Sequence, residues 1–449
     1  MEIVSSNPSG GTALSATSYV SAFGAMVLSL AGGFTAPTRE TFAVMATGWV
    51  LCLGRHTVTR VIASAAENAA KHLASYRRFF NRARWEPDRL FADLLVKVLL
   101  PLAAPNGRPL LAGDDSTCSK FGRKVAFAGY YRDAVRSTPK RSVVHWAHCW
   151  VVLSLQLRVP FWPLRVISCP IMARLYRKPA ACRAGHPFRT RGELLLEMVA
   201  KVTRLLPERE FDLAVDGAYP SDELLKGLPT NVHLVSRIRS DAALYDQPAP
   251  RRKKGPGRRR RKGDRMKSLP EIAAGVRRWE RRLVVAYGRR RMRLLHSFQA
   301  LWWHVAKDRP IQVVIVRDPA GKEKDDFFFT TDLAMKPARV VELYAARWGI
   351  EEAIREAKQS TGFDDVQGWS ARSVERQAPF ALLMLSLVKA WYLQHAAPIE
   401  RPQELPSVAV MLTKLRMAHW RQRISSLSLR GNDMRKFTMA LETTLAAAA

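Results

Sequence analysis

The sequence predicts an α/β fold, a central sheet with helical segments at both ends of the chain. Three observations predict it. Two short apolar runs, within Arg108–Lys120 and Phe211–Tyr219, end in carboxylates, Asp114-Asp115 and Asp216, as buried strands do when they open into a cleft. Residues 229–330 are β-rich and basic. Residues 17–85 and about 370–445 carry helical patterning instead.

Residues 1–16 are rich in Ser, Gly and Thr and read as disordered. The helical pattern of 17–85 is interrupted at Thr35–Arg39 and Gly54–His56. Arg55–Ala65 suits the second helix of a helix-turn-helix, with Arg55 and Arg60 near its start; a helical cap on the main domain suits it equally. Leu90–Leu100 is an amphipathic helix closed by Pro101. After the strand that ends at Asp114-Asp115, Lys120–Lys124 turns basic. Ser142–Val159 and Phe161–Ile171 are apolar and β-rich. His145 and His148 lie three apart in the first of these, so they point to opposite faces and do not form a metal pair.

Thr190–Glu193 has the form of a capping box and opens a helix that Pro207 ends. Leu213–Val215 then delivers Asp216 to a strand end, and Gly217 permits a sharp turn. Asn231–Arg239 is the next strand. Arg251, Arg252, Lys253, Lys254, Arg258, Arg259, Arg260, Arg261 and Lys262 surround Gly255-Pro256-Gly257; such a run cannot form a core and reads as a loop lying on phosphates. Strands follow at Arg282–Gly288, Arg291–Phe298, Ile311–Arg317 and Asp326–Thr331. The expected domains are 1–85 (helical, DNA-binding in one reading), 86–228 (first part of the core), 229–330 (insertion), 331–370 (core helix) and 371–449 (helical).

Composition narrows the function. Lys and Arg number 72 against 39 Asp and Glu, a net charge of +33, which attracts polyanions, nucleic acid first. Five scattered cysteines without a CxxC pair fit a reducing cytoplasm rather than a disulfide framework or zinc ribbon. Val20–Phe34 is short, glycine-containing and without a basic leader, and Ala378–Ala397 contains Pro379 and Lys389. Neither reads as a signal or a membrane span.

The stretch Tyr344–Lys358 reads as a helix. At about 100° per residue Tyr344, Arg347, Glu351 and Lys358 share one stripe, beside an apolar stripe of Leu343, Ile350, Ile354 and Ala357. Alone, this is an ordinary salt-bridged face. With Asp114/Asp115 and Asp216 at strand ends it becomes the third source of a carboxylate. Three carboxylates converging in one place repel unless cations sit between them. Two Mg²⁺ ions about 4 Å apart suit such a set and drive phosphodiester chemistry.

Tyr344-x2-Arg347-x3-Glu351-x6-Lys358 resembles the Tyr-Arg-Glu-Lys signature of the insertion-sequence-four-like branch of bacterial DDE transposases. Asp216-Gly-Ala-Tyr219 resembles the second-acid motif of that family and Asp114–Lys124 its first, and the likeness spans roughly 70–400. The resemblance implies a ribonuclease H-like mixed-sheet core with a β-rich insertion before the third acid. It implies cleavage at the terminal inverted repeats, joining of the freed 3′ hydroxyls to target DNA, and a homodimer or larger synaptic complex in the bacterial cytoplasm. It also implies two Mg²⁺ ions (or Mn²⁺) held by Asp115, Asp216 and Glu351, with Tyr344, Arg347 and Lys358 on DNA phosphates. Both Asp114-Asp-Ser and Asp115-Ser-Thr fit the family pattern at the first acid; Ser-Thr favours Asp115, with Asp114 the alternative. The rival readings are a metal-dependent nuclease of the same core without strand transfer, and a non-catalytic basic DNA-binding protein.

Overall fold

The computed structural model describes residues 16–65, 68–103, 107–133, 136–182, 187–248 and 260–425, with parts of 433–441. The N-terminal disordered tract expected at 1–16 lies almost wholly outside these residues, as do most of the polycation (251–259) and the Ala-rich end.

The elements run α1 (Ala16–Ser29), α2 (Ala36–Leu51), α3 (Val58–Ala65), α4 (Leu73–Asn81), α5 (Pro87–Asp93), β1 (Leu110–Ser119), β2 (Gly129–Arg132), β3 (Val144–Leu157) and β4 (Ile167–Tyr176). Then come α6 (Arg191–Leu205), β5 (Phe211–Val215), α7 (Asp222–Gly227), β6 (Val232–Arg237), α8 (Leu269–Gly275), β7 (Glu280–Ala286), β8 (Arg289–Ala300) and α9 (Trp303–Ala306). β9 (Ile311–Arg317), β10 (Asp326–Thr330), α10 (Pro337–Ser360), α11 (Ala371–Trp391), α12 (Ala397–Glu400) and α13 (Val408–Ser425) complete the chain. They form two compact units, one of residues 1–85 with 384–449, the other of 86–383.

The first unit is helical. Its core is aromatic: Phe79 stacks on Trp85 at 4.8 Å, and Phe34, 5.2 Å from Phe42, packs on both at 6.3 Å. Arg416 of α13 is buried and donates to the carbonyls of Val50 and Cys52, which closes the C-terminal end of α2. α2 and α3 form a helix–turn–helix pair in the plain sense, with Arg55 and Arg60 exposed. No helix among the described residues is long and apolar enough to cross a membrane.

The second unit is built on one ten-stranded mixed sheet, in the order β3-β1-β5-β6-β10-β9-β8-β7, with β2 and β4 both paired to the far edge of β3. β1 runs antiparallel to β3 and parallel to β5, and β6 is parallel to β5. This mixed α/β arrangement is consistent with the expected ribonuclease H-like core. The β-rich segment does not form a body of its own. Its strands continue the same sheet outward from β6, all antiparallel.

Two local expectations change. The strand expected at Phe161–Ile171 begins at Ile167, because Pro160 and Pro163 lack the N–H that a ladder needs and the chain turns instead, with Arg165 N–H donating to the Trp162 carbonyl. The helix expected at Leu90–Leu100 widens to a π-helix at Leu94–Leu99 and closes in a 3₁₀ turn, Leu100–Leu102, that contains Pro101.

α10 is longer than the stretch that predicts it. Pro337 stands at its first turn, where a missing N–H costs nothing, and it lies across the sheet with Leu343, Tyr344, Ile350 and Ala357 buried. Its start is tied to the sheet by ion pairs, Arg339 to Asp212 at 3.5 Å and Arg108 to Asp332 at 2.5 Å. Gly349 lets it approach β3 closely: a Cβ there would stand 2.7 Å from Gln156 Oε1.

Candidate active site

The site is set by the alternation of β1. Residues two apart on a strand share a face. Asp114 and Ser116 look towards α10. Arg347 Nη1 donates to Asp114 Oδ2 at 2.9 Å, and Lys358 Nζ donates to Ser116 Oγ at 2.9 Å and to the Thr117 carbonyl at 2.7 Å. Gly113, Asp115 and Thr117 look the other way, towards α6. Asp115 accepts from Tyr219 Oη at 3.1 Å and pairs with Arg191 at 3.1 Å. Thr117 Oγ1 meets His145 at 3.0 Å. A Cβ on Gly113 would stand 2.6 Å from Leu195 of α6.

The register of β1 and β5 puts Asp216 beside Asp114, and its charge acts on the Tyr344 phenol of α10. β1 and β5 are parallel and in register, Ala112 beside Ala214 and Gly113 beside Val215. One step further along both strands stand Asp114 and Asp216, and residues paired in register on parallel strands point the same way. Asp216 lies just past the carboxyl end of β5, where its Oδ2 accepts from the Ala218 N–H at 3.2 Å. It lines a cleft of about 360 Å³ with Gly217, Arg237, Arg239, Ser240 and Asp326.

Glu351 completes the set from the helix. Arg347 Nη2 donates to its Oε1 at 2.8 Å, so one guanidinium bridges Asp114 and Glu351. Burial pushes the Asp114 carboxyl up to about 6; Arg347 opposes this, while the charges of Asp115 and Glu351 add to it. Burial also works against the charge of Arg347, but Asp114, Tyr344 and Glu351 more than offset it and hold the guanidinium above its ordinary value. On the other face, burial and the Asp115 charge push the Tyr219 phenol far up and the Cys149 thiol to about 12.

The two candidates for the first acid lie on opposite faces of β1. Asp115, favoured by the Ser-Thr behind it, is directed away from Glu351; Asp114 is directed towards it. A one-residue choice on a strand reverses the face, and local sequence similarity is blind to that. Tyr344 and Arg347 are both buried. Tyr344 packs against Phe328 at 4.8 Å and lies beneath the Arg347 guanidinium at 5.4 Å. Of the polycation, only its end is described: Arg260 pairs with Asp264, Arg261 with Asp308, and Lys262 caps the Tyr245 ring at 3.9 Å. The sequence assigned no role to Arg191 and Tyr219. The signal for Tyr219 was its place three residues after Asp216; Arg191 is recognisable only as the residue after a helix cap.

The donor set on the α10 face is all carboxylate oxygen, the chemistry of a hard divalent cation. Burial raises Asp114, the charges of Asp115 and Glu351 add to it, and a bound cation would oppose the shift. In the arrangement described, Arg347 supplies that positive charge, and no three Asp, Glu, His or Cys groups among the described residues stand close enough to share one ion.

Residues 29–291, more than half the chain, match the family model described as DDE superfamily endonuclease. The matched span contains Asp114, Asp115 and Asp216 and ends before α10. No curated protein matches by sequence. Among solved structures the chain is similar to a piggyBac transposase in a synaptic complex with hairpin DNA, at 11% identity and a TM-score of 0.42, over 96% of this chain and 86% of that one.

Proposed function

The chain belongs to the DDE superfamily endonucleases, and from that premise we propose that it is a cut-and-paste transposase of the Tyr-Arg-Glu-Lys branch. It binds terminal inverted repeats, cleaves at their ends and joins the 3′ hydroxyls to target DNA. The single observation that supports the reading is the Arg347 guanidinium bridging Asp114 of β1 and Glu351 of α10, with Asp216 just past the end of the neighbouring strand β5. A protein that only coats DNA has no use for three acids on one face of a +33 chain.

We assign Asp114, rather than Asp115, as the first acid. Asp114, Asp216 and Glu351 would hold two Mg²⁺ or Mn²⁺ ions. When bound, such ions supply an activated water and neutralise charge on the leaving oxygen. Arg347 orients Asp114 and Glu351 and shields each from the other until they are so engaged. Lys358, its ammonium bonded to Ser116 and Thr117 of β1, carries the positive charge that meets a DNA phosphate. Asp115 acts through Tyr219: their hydrogen bond holds the turn that carries Asp216. Pairing two transposon ends calls for a dimer or larger complex.

The test is cleavage and strand transfer on end-sequence duplexes. Glu351→Ala should abolish Mg²⁺-dependent cleavage and leave binding nearly intact; surviving cleavage would remove Glu351 from the site. Joining of pre-cut ends to target DNA separates a transposase from a nuclease of the same core.

A further inference from the structure

The basic turn that follows β1 has no part in the site just described, yet it is built with unusual care. Phe121 and Trp369 are 82% and 73% exposed, the most solvent-facing large hydrophobic side chains among the described residues of the second unit. Leaving two such rings in water forfeits apolar burial that a fold ordinarily takes. They come from loops more than 240 residues apart, one after β1 and one after α10, and those loops are bonded into a single ledge. Lys120 Nζ donates to the Asp364 carbonyl at 2.8 Å, the Phe121 N–H to Gln367 Oε1 at 3.3 Å, and the Ala126 N–H to the Gly368 carbonyl at 3.0 Å. Trp146 Nε1 fastens the same turn from β3 by donating to the Gly122 carbonyl at 3.2 Å. The two loops that carry the rings are thus tied together before any ligand arrives.

The exposed side chains of the turn are cationic, facing Asp364 and Asp365 of the other loop across Lys120. Arg123 and Lys124 are exposed on the turn, and the Lys124 ammonium stands 5.4 Å from the centre of the Trp369 ring. The ledge is also continuous with the site. Lys358 bonds to Ser116 and Thr117 on the strand that runs into this turn. Phe121 is seven residues from Asp114, which bounds their separation at about 23 Å. That is roughly seven base steps of B-DNA.

We propose that the Phe121–Trp369 ledge is a stacking platform for unpaired bases of the DNA substrate, with Arg123 and Lys124 on the neighbouring phosphates. Flat exposed rings flanked by cations are what single-stranded nucleic acid needs, because every base has a π-face and every link a charge. A paired duplex shows no base face to them. The proposal rests on the DNA-acting reading above and adds to it where a melted segment of the substrate lies.

The experiment measures the full chain's affinity, at one salt concentration, for a single-stranded oligo(dT) and for an end-sequence duplex. The variants are Phe121→Ala/Trp369→Ala and the ring-keeping Trp369→Phe, each checked for an unchanged thermal midpoint. The expected result is that the ratio of single-strand to duplex affinity falls about tenfold or more in the double alanine variant and is largely kept by Trp369→Phe. An unchanged ratio, or an equal loss on both DNAs, overturns the platform and leaves the transposase reading standing. Failure of the wild-type chain to bind the duplex strikes at that reading instead. Should the double variant change oligomeric state while its DNA affinities hold, the ledge meets a second copy of the chain and the proposal fails.

Discussion

On the α10 face of β1, Asp114 and Ser116 meet Arg347 and Lys358; on the α6 face, Asp115 and Thr117 meet Arg191, Tyr219 and His145. Both faces carry a carboxylate paired to an arginine. They differ in what surrounds the pair. On the α10 face burial pushes Asp114 up to about 6, and the charges of Asp115 and Glu351 add to it against the opposing Arg347. The α6 face resolves its charges. Farther along it, Asp88 takes Arg174 and Lys201, and Glu197 takes Arg174 and Arg189. Frustrated acids are expected where chemistry happens, and satisfied ones where structure is held.

The comparison breaks most sharply at the two aspartates. Asp114→Asn should lower end cleavage on the order of a thousandfold, since it removes a carboxylate proposed to touch the reacting centre. Asp115→Asn should cost about tenfold, because it only loosens the Asp216 turn through Tyr219, and Tyr219→Phe should match it. A cleavage assay on the three proteins decides; equal losses at the two aspartates erase the distinction between the faces. Next comes packing. Gly113→Ala should destabilise by about 1–3 kcal/mol by driving a methyl into Leu195, read as a shift in the urea midpoint. The smallest effect concerns pH. Burial raises the Asp88 carboxyl, but Arg174 and Lys201 outweigh it and hold it below its ordinary value. Its contribution to stability is therefore complete above the ordinary carboxylate range and is lost as pH falls through the lowered value. Asp88→Asn should flatten the acid side of the stability profile, measured by denaturant midpoints between pH 5 and pH 2.5.

Much of this was legible beforehand. The α10 stripe follows from helical spacing alone, and Leu343, Ile350, Ile354 and Ala357 are buried as that spacing requires. Asp216 at a strand end followed from a short apolar run and Gly217. What could not be read was register. Whether Asp114 or Asp115 faces the helix depends on how β1 pairs with β3 and β5, and no local feature of Asp114-Asp-Ser-Thr encodes it. Arg347 was equally hidden: the i,i+4 pair with Glu351 is visible in the sequence, whereas its bond to Asp114, 233 residues away, is not. The continuation of the sheet through β10 to β7 was missed for the same reason, since strand order is a long-range property.

The central claim is that Asp114, and not its neighbour, meets the metal on the α10 face. Replacing each in turn by cysteine and comparing end cleavage in Mg²⁺ and Mn²⁺ tests it directly, because a thiolate suits the softer ion better than the harder one. The account predicts that Asp114→Cys is inactive in Mg²⁺ and recovers in Mn²⁺, while Asp115→Cys keeps the wild-type ratio of the two activities. Recovery by Mn²⁺ at Asp115 alone would contradict it.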